Sequence, residues 1–428
     1  MSAGLRHGLA VLACAAALGA TSAGAAAATV LLRNGVIHTE GARGTLDGGS
    51  VLIVDGRVAA IGRDLAGPAG AEVVDLHGRP VTPALFGGVG QLGVSEVELE
   101  ASTNDGTLKL GQMRPEFDLS LAFNPDSMPV GVARVEGIGF ALLAPGAEPG
   151  HKGAPGSSIL AGLGSIVRLD GRRPRPPVAL AVHVGEDAGP LAGESRAAAY
   201  MLLAQALEEA RAPAALAAGE QRLLTPAGRR VLRSFATEPK PVVFSVDRAA
   251  DIRTAIEFAA REKLQAVVFG GAEAWRVAPL LAQARVPVVI DPLDDLPEQF
   301  DQIGATLENA ARLHAAGVAV AFSLRSPAPH DIRKLRQAAG NAVAHGLPWD
   351  AALAALTRVP ARVFHAAPEF GSIEAGRPAN LVVWSGDPLE VTTIVDAAWL
   401  DGHRQSLRTR QTALRDRYLA KLRAGTAR

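Results

Sequence analysis

The chain has little cysteine and no excess of charge of either sign. Of its 428 residues only Cys14 carries a thiol. A single thiol excludes a disulfide framework and any cysteine-rich metal site. The 43 Lys and Arg residues balance the 43 Asp and Glu residues, which argues against a general nucleic-acid-binding protein. The chain is long and apolar enough for a large core, so a mainly disordered state is also excluded.

Long apolar runs are missing as well. An apolar run at residues 9–20 follows a short polar start, and the small residues at 23–28 offer cleavage sites. This layout is typical of a secretory signal peptide, and the run is too short to span a membrane. We therefore expect residues 1–28 to be a signal peptide and the protein to be periplasmic or secreted. A lipoprotein anchor at Cys14 is the alternative.

Both ends of the chain have β character. In residues 29–83, short β-branched runs are separated by Asn34-Gly35 and Asp55-Gly56, which favour tight hairpin turns, and a further strand pair surrounds His77-Gly78. Strand-like runs return after residue 371. We expect 29–83 and 371–404 to form one composite β-sandwich domain.

Between these ends, strand-like and helical runs alternate. The strand-like runs are almost entirely apolar, as expected for parallel strands covered on both faces. Repeated βα units over residues 84–370 predict an α/β fold with a (β/α)8 TIM-like barrel, and an open doubly wound sheet is the alternative. The predicted strands cover 133–143, 158–169, 178–184, 241–246, 266–269, 286–290 and 318–322, and the predicted helices cover 195–211, 249–263, 274–284, 299–316, 332–346 and 349–363.

The last segment, residues 405–428, is basic. Leu407, Leu414, Tyr418 and Leu422 form an apolar stripe at helical spacing. We expect a packed amphipathic helix with a solvated basic face, and contact with an anionic membrane is the alternative.

The order of several short motifs resembles the amidohydrolase superfamily, especially its imidazolonepropionase-like bacterial branch. The resemblance implies a (β/α)8 barrel flanked by a β-sandwich from both chain ends, and hydrolysis of non-peptide C–N bonds. It also implies one or two divalent metals such as zinc, which activate a water molecule at the barrel mouth. The motifs are VDGRVAAIG at 54–62, VDLHGRPVTP at 74–83, NPDS at 124–127, GLPWDAALAALT at 346–357 and FGSIEAG at 370–376.

The metal-ligand motifs of the superfamily are replaced in this chain. Val89 and Gln91 stand where the first paired histidines are expected, and no His-x-His occurs in the sequence. Ser245, Gly270 and Arg325 stand at later ligand positions. Valine and glycine side chains cannot bind a cation, and a guanidinium would repel one. We therefore expect no metal site and no cofactor.

Other polar residues are candidates for chemistry at the mouth. His183, Glu186 and Asp187 follow a predicted strand end, where barrel catalysts lie. They are candidate catalytic residues, as a general base with carboxylates or as a partial metal site. A loop histidine beside solvated acids is the alternative.

The candidate binding residues are less specific. We expect Arg325 to form an ion pair with a carboxylate or to bind an anionic ligand. Acids at 291–295 suit a helix N-cap, and Glu96, Glu98 and Glu100 alternate along one predicted strand face. The predicted binding residues are Gln91, Ser95, Glu96, Ser245, Glu273, Asp291 and Arg325.

These observations leave three functions open. The first is an exported hydrolase with altered or lost activity. The second is a catalytically silent periplasmic binding or assembly protein on the same barrel. The third is a non-catalytic subunit that pairs with an active paralogue. We expect a small molecule at the mouth, no nucleic acid and no transmembrane helix, and a homo-oligomer is possible.

Overall fold

The computed structural model describes residues 29–97, 99–150, 155–212, 222–325 and 328–425. The predicted signal peptide, including Cys14, and Glu98 lie outside these ranges. Two eight-stranded sheets organise the described chain, each beside its own hydrophobic core. The strands are β1 (Val30–His38), β2 (Thr45–Val54), β3 (Arg57–Arg63), β4 (Glu72–Asp75), β5 (Pro80–Pro83), β6 (Leu85–Gly90), β7 (Ile138–Leu143), β8 (Leu160–Arg168), β9 (Ala179–His183), β10 (Pro241–Val246), β11 (Gln265–Gly270), β12 (Val288–Ile290), β13 (Val320–Phe322), β14 (Leu381–Trp384), β15 (Val395–Leu400) and β16 (His403–Arg404).

Helices separate most of the strands in the second sheet. Short 3₁₀ segments precede several of them, for example Ala274–Val277 and Phe300–Gln302. The helices are α1 (Met128–Val135), α2 (Arg196–Arg211), α3 (Pro226–Thr237), α4 (Ala249–Glu262), α5 (Ala278–Ala284), α6 (Asn309–Ala315), α7 (Leu335–Ala344), α8 (Trp349–Leu356), α9 (Arg358–Val363) and α10 (Arg410–Gly425).

The first sheet is built from both chain ends, in the order β16-β15-β14-β5-β1-β2-β3, with β4 also paired to β1. The two ends join where β14 pairs antiparallel with β5 and places Leu381 opposite Pro83. The buried side chains of this sheet, among them Leu32, Ile53 and Trp399, share one core. The predicted pairing of the two chain ends is confirmed.

Two local predictions in this sheet are wrong. Asn34 and Gly35 form no turn, because they lie inside β1, where Asn34 adopts a positive φ of 59° and the register with β2 shifts. The strands around His77 do not pair with each other, because β4 and β5 each pair parallel with β1. The Asp55–Gly56 hairpin between β2 and β3 is found as predicted.

The second sheet follows the order β6 to β13 around a barrel, and its strands alternate with helices from β9 onwards. Every residue of β7 and β8 is buried, as expected for strands covered on both faces. Phe86 is fully buried in the core, where its ring centroid lies 5.2 Å from that of Phe140. The α/β barrel with a strand-rich unit from the chain ends is confirmed.

One barrel strand runs against the others. β8 pairs antiparallel with both β7 and β9, whereas the pairs β6–β7 and β9 to β13 are parallel. The prediction of parallel direction is therefore wrong for this strand. No helix lies between β7 and β8 or between β8 and β9 in the described residues, so these three strands form a meander.

The barrel closes between β13 and β6 through a side chain. The Ser323 hydroxyl accepts from the Val89 amide at 2.9 Å and donates to the Val89 carbonyl at 3.2 Å. Gly88 permits this approach, because a Cβ there would lie 2.7 Å from the Ser323 oxygen. This contact holds the first and last strands together beside the mouth.

The predicted C-terminal helix forms as α10, but its apolar stripe is not packed as expected. Leu407, before the helix, contacts the barrel core, whereas Tyr418 is 55% exposed. The prediction of a packed helix is therefore wrong beyond Leu414, which is half-buried. Within the described ranges, no helix is both long enough and apolar enough to cross a membrane.

Candidate ligand-binding site at the barrel mouth

A cavity of about 460 Å³ lies at the barrel mouth, at the carboxyl ends of the parallel strands. This volume is within the range of ordinary small-molecule sites, about 300–1,000 Å³. Five of the residues singled out from the sequence line it: Gln91, His183, Asp187, Ser245 and Arg325. The remaining polar lining residues are Asn104, Thr107 and Glu148, and the apolar ones include Val89, Ala181, Val243, Phe269 and Leu324.

His183 and Ser245 are neighbours across two strands. They are paired in register at the ends of β9 and β10. The Nδ1 atom of His183 is buried and has no hydrogen-bond partner in the described chain. Burial lowers the pKa of His183, and the nearby Asp187 carboxylate opposes this shift only in part. The lowered pKa favours the neutral form of the imidazole.

An arginine ion pair forms one side of the cavity. Arg325 Nη1 donates to Asp247 Oδ1 at 2.8 Å, and Arg325 Nε lies 3.9 Å from Asp294 Oδ2. Burial alone would lower the pKa of Arg325, but Asp247 and Asp294 raise it. Burial raises the pKa of Asp294 to about 7, although Arg325 opposes the shift. The ion pair predicted for Arg325 is thus present, with Asp247 as its main partner.

Gly270 makes room for this ion pair. It ends β11 with a φ of +96°, and a Cβ at this position would lie 2.7 Å from both Arg325 Nη1 and Asp247 Oδ1. A histidine at the same position would therefore collide with the pair. The absence of a side chain at 270 and the Arg325–Asp247 ion pair are therefore structurally linked.

The residues at the mouth do not fit a divalent metal. Val89, Gly270 and Arg325 offer no donor for a cation, and Gln91 uses its side-chain amide to bind the Gly106 carbonyl at 3.1 Å. Across the described ranges, no three His, Cys, Asp or Glu side chains are grouped so that they could hold a metal ion. Structural and catalytic metal sites ordinarily need at least three such ligands.

The predicted catalytic residues are only partly brought together. His183 and Asp187 share the cavity, and Asp187 is exposed at its rim, where Gln299 Nε2 donates to Oδ1 at 3.1 Å. Glu186 does not line the cavity. Its carboxylate accepts from the Asp301 amide at 3.1 Å, and its own amide donates to Asp301 at 2.9 Å. Glu186 thus anchors a loop.

Two predicted binding residues are occupied by contacts within the fold. Glu96 accepts from the Met128 amide at 3.3 Å, at the start of α1. Glu273 is buried and accepts from the amides of Ala249 and Gly304, each at 3.0 Å. The expectation that Glu273 lines the mouth is therefore wrong, because its carboxylate is needed at the start of α4.

Ser95 and Asp291 also lie away from the cavity lining. Ser95 is buried, and its backbone forms isolated β-bridges with Leu92 and Asn104. Asp291 accepts from the Arg325 amide at 2.9 Å, and burial raises its pKa. No helix begins at residues 291–295, so the expected N-cap is absent there and the carboxylate instead fixes the backbone of Arg325.

Sequence reasoning missed Asp247, the residue on which the ion pair depends. It is buried, and besides Arg325 it accepts from the Ala272 amide at 3.1 Å. Its position directly after β10 was the available signal, because residues at strand ends face the mouth. Asn104, Thr107 and Glu148 lie on long loops and carry no comparable signal.

A barrel with its cavity at the strand ends, flanked by a sheet from both chain ends, is the architecture expected of amidohydrolase-fold proteins. The amidohydrolase family model matches residues 246–406. A curated relative, Amidohydrolase tasK of Hapsidospora irregularis, is 43% identical over 61 residues, which are 14% of this chain and 6% of that protein. The chain therefore spans only a small part of this relative.

Solved structures share the fold over nearly the whole described chain. An amidohydrolase from Thermotoga maritima superimposes with a TM-score of 0.78 at 24% identity, and the match covers 89% of this chain and 100% of that one. Molinate hydrolase gives a TM-score of 0.55 at 15% identity, covering 89% and 95%. The resemblance to the amidohydrolase superfamily is confirmed: residues 246–406 match the family in sequence, and the chain has its fold.

Proposed function

We propose that this protein is an amidohydrolase-superfamily member that has lost metal-dependent hydrolysis and binds a small molecule at the barrel mouth. One observation carries the proposal. The Arg325–Asp247 ion pair occupies the space that Gly270 leaves at a ligand position. We also propose that the chain is exported by residues 1–28 and works in the periplasm or outside the cell.

The charge at this position supports loss of the metal. A guanidinium remains protonated at every physiological pH. Two unit charges of the same sign 4 Å apart repel by about 4 kcal/mol at the effective dielectric of a protein surface, and a divalent ion doubles this cost. The Asp247 charge offsets part of this repulsion, but its Oδ1 atom already accepts from Arg325 and from the Ala272 amide, so it is not free to bind a metal.

The cavity supports a binding role. Its lining combines apolar strand residues with a few polar side chains, among them His183, Ser245 and Arg325. Such a combination is typical of small-molecule sites. A companion role beside an active paralogue would be compatible with the same site.

Metal-free hydrolysis of a C–N bond is the second candidate function. It is favoured by one observation: His183 lines the cavity together with Asp187, and burial lowers the pKa of its imidazole. Such a group can act as a general base.

Metal analysis and assays of the full chain, purified without chelators, test both candidates. We expect fewer than about 0.1 equivalents of zinc, manganese or iron per chain, and no hydrolysis of amides, ureas or lactams with or without added metal. Stoichiometric metal, with activity that is removed by chelation and restored by metal, would overturn the proposal.

The second candidate has its own signature. Metal-independent hydrolysis that disappears in His183→Asn and persists in Asp126→Asn would establish it. Asp126 is an exposed carboxylate that does not line the cavity, so it is the matched control.

A further inference from the structure

We propose that the mouth cavity selects small zwitterions with an apolar body, for which a free apolar amino acid is the simplest example. The anionic end binds Arg325, and the cationic amino end binds Asp187. This inference rests on the proposed binding function, and it names the ligand class from the distribution of charge in the lining.

Arg325 supplies the site for the anionic end. Among the described residues that line the cavity, it is the only lysine or arginine. Asp247 takes one hydrogen bond from Nη1, and the 3.9 Å from Nε to Asp294 is too long for another. The guanidinium has five N–H donors in a planar fork, and the remaining ones suit a carboxylate, which accepts two at once.

Asp187 supplies the site for the cationic end. It is exposed at the rim, and its hydrogen-bonded partner is the neutral Gln299 amide, which leaves its negative charge uncompensated. Arg325, His183 and Asp187 all line the same cavity. Burial lowers the pKa of His183, so its imidazole adds no positive charge that would repel the ammonium group.

The other carboxylate of the lining does not compete for the amino group. Glu148 forms an ion pair of 2.5 Å with Lys109 and accepts from the Thr107 hydroxyl at 3.2 Å. The lining therefore offers free guanidinium donors of Arg325 on one wall and, at the rim, the Asp187 carboxylate, which has no ion-pair partner among the described residues. This is the complement of a dipolar molecule.

Molecules with one charge fit less well. A simple carboxylate on Arg325 would also face the carboxylates of Asp247, Asp294 and Asp187 without any gain at the rim. A simple amine at Asp187 would face the Arg325 cation. A zwitterion satisfies both ends, and strand residues such as Val243 and Phe269 give its body an apolar wall.

Calorimetric titration of the metal-free full chain with size-matched probes tests this inference. The zwitterions are L-leucine and L-phenylalanine. Their single-charge counterparts are 4-methylpentanoate and 3-methylbutylamine for leucine, and 3-phenylpropanoate and 2-phenylethylamine for phenylalanine. We expect at least one zwitterion to bind at least tenfold more tightly than both of its counterparts. Binding of an acid or amine as tight as its zwitterion would overturn the inference, as would no binding of either amino acid.

Variants locate the two ends of the ligand. Asp187→Asn, at an exposed position, should weaken binding of the zwitterion at least tenfold and leave binding of the single carboxylate unchanged or stronger. Asp126→Asn should change neither. Arg325→Lys keeps the charge but removes the fork, and should weaken both the zwitterion and the carboxylate.

An Asp187→Asn protein that binds the zwitterion like the wild type would refute the placement of the amino end. Failure of the inference is distinguishable from failure of the proposed function. A metal-free, inactive chain that binds none of the probes contradicts only the ligand class, whereas a stoichiometric metal contradicts the function itself.

Discussion

Arg325, Asp247 and Gly270 depend on one another at the barrel mouth. Asp247 is buried, and Arg325 Nη1 binds its carboxylate at 2.8 Å. Removing one partner of a buried pair costs about 3–5 kcal/mol, because the other charge is left without compensation. Gly270 has no charge, yet the pair requires it because the space beside both side chains is smaller than a methyl group.

Replacing Gly270 by alanine tests this dependence. The positive φ of +96° costs a residue with a Cβ about 1–3 kcal/mol, and the 2.7 Å contacts with Arg325 and Asp247 add to it. We expect Gly270→Ala to lower the free energy of unfolding by roughly 3–5 kcal/mol, measured by urea denaturation.

Gly171 is the matched control. It has a φ of +86°, and a Cβ there would meet nothing within 4 Å. Gly171→Ala should therefore show the backbone cost alone, about 1–3 kcal/mol. Equal losses in the two variants would show that the ion pair adjusts freely to a side chain at 270.

The sequence predicted part of this arrangement. The resemblance predicted that Arg325 stands at a ligand position, and its charge suggested either an ion pair or an anion site. Its partner Asp247 was missed, because a single aspartate after a strand does not differ from many loop acids until the fold brings it to within 2.8 Å of the guanidinium. Glu273, chosen by position, instead caps a helix.

Ser323 closes the barrel between its last and first strands. Its buried hydroxyl bridges both backbone groups of Val89, at 2.9 and 3.2 Å. We expect Ser323→Ala to lower the free energy of unfolding by about 1–3 kcal/mol, because the half-buried Val89 backbone groups lose their partner. Thermal and urea unfolding measure this change.

Ser165 on β8 is the matched control for a buried serine. It is fully buried, and its hydroxyl has no hydrogen-bond partner within the described chain. Ser165→Ala should leave stability unchanged or raise it slightly, because an unsatisfied hydroxyl is removed. A loss at Ser165 as large as that at Ser323 would contradict the proposed closure.

The sequence predicted the barrel strands well but not the direction of one of them. Both faces of β8 are buried along its whole length. Its sequence therefore shows no alternation of polar and apolar residues that would indicate an antiparallel strand. A fully apolar run is compatible with a buried strand of either direction. Only the absence of a predicted helix between the strand-like runs 133–143, 158–169 and 178–184 carried information about the meander.

Asp294 makes the free energy of unfolding of the protein decrease as the pH rises. Burial raises its pKa from the ordinary 3.8 to about 7, so between these values the folded state holds a proton that the unfolded state releases. The contribution of Asp294 to stability is therefore fully present below pH 3.8 and is lost as the pH rises through 7. Asp291 and Asp301, whose pKa values burial also raises, act in the same direction.

Asp294→Asn isolates this effect. The stability of the wild type relative to this variant should fall by a few kcal/mol between pH 4 and pH 7, with a slope of at most about 1.4 kcal/mol per pH unit. Urea unfolding at several pH values measures the difference in free energy of unfolding between the two proteins. Titratable groups that both proteins share contribute equally and cancel from this difference. An Asp294→Asn curve that runs parallel to that of the wild type would refute the assignment.

The pairing of β5 with β14 has a consequence for how the chain folds during its synthesis. Pro83 and Leu381 are paired although about three hundred residues of chain separate them. The meander β7–β8–β9, by contrast, is built from neighbours in sequence. Contacts between distant residues form late, because loop closure costs entropy before they contribute. We expect the strands 30–83 to remain incompletely paired until the barrel has been synthesised, so that the folded barrel brings together the two halves of the sheet.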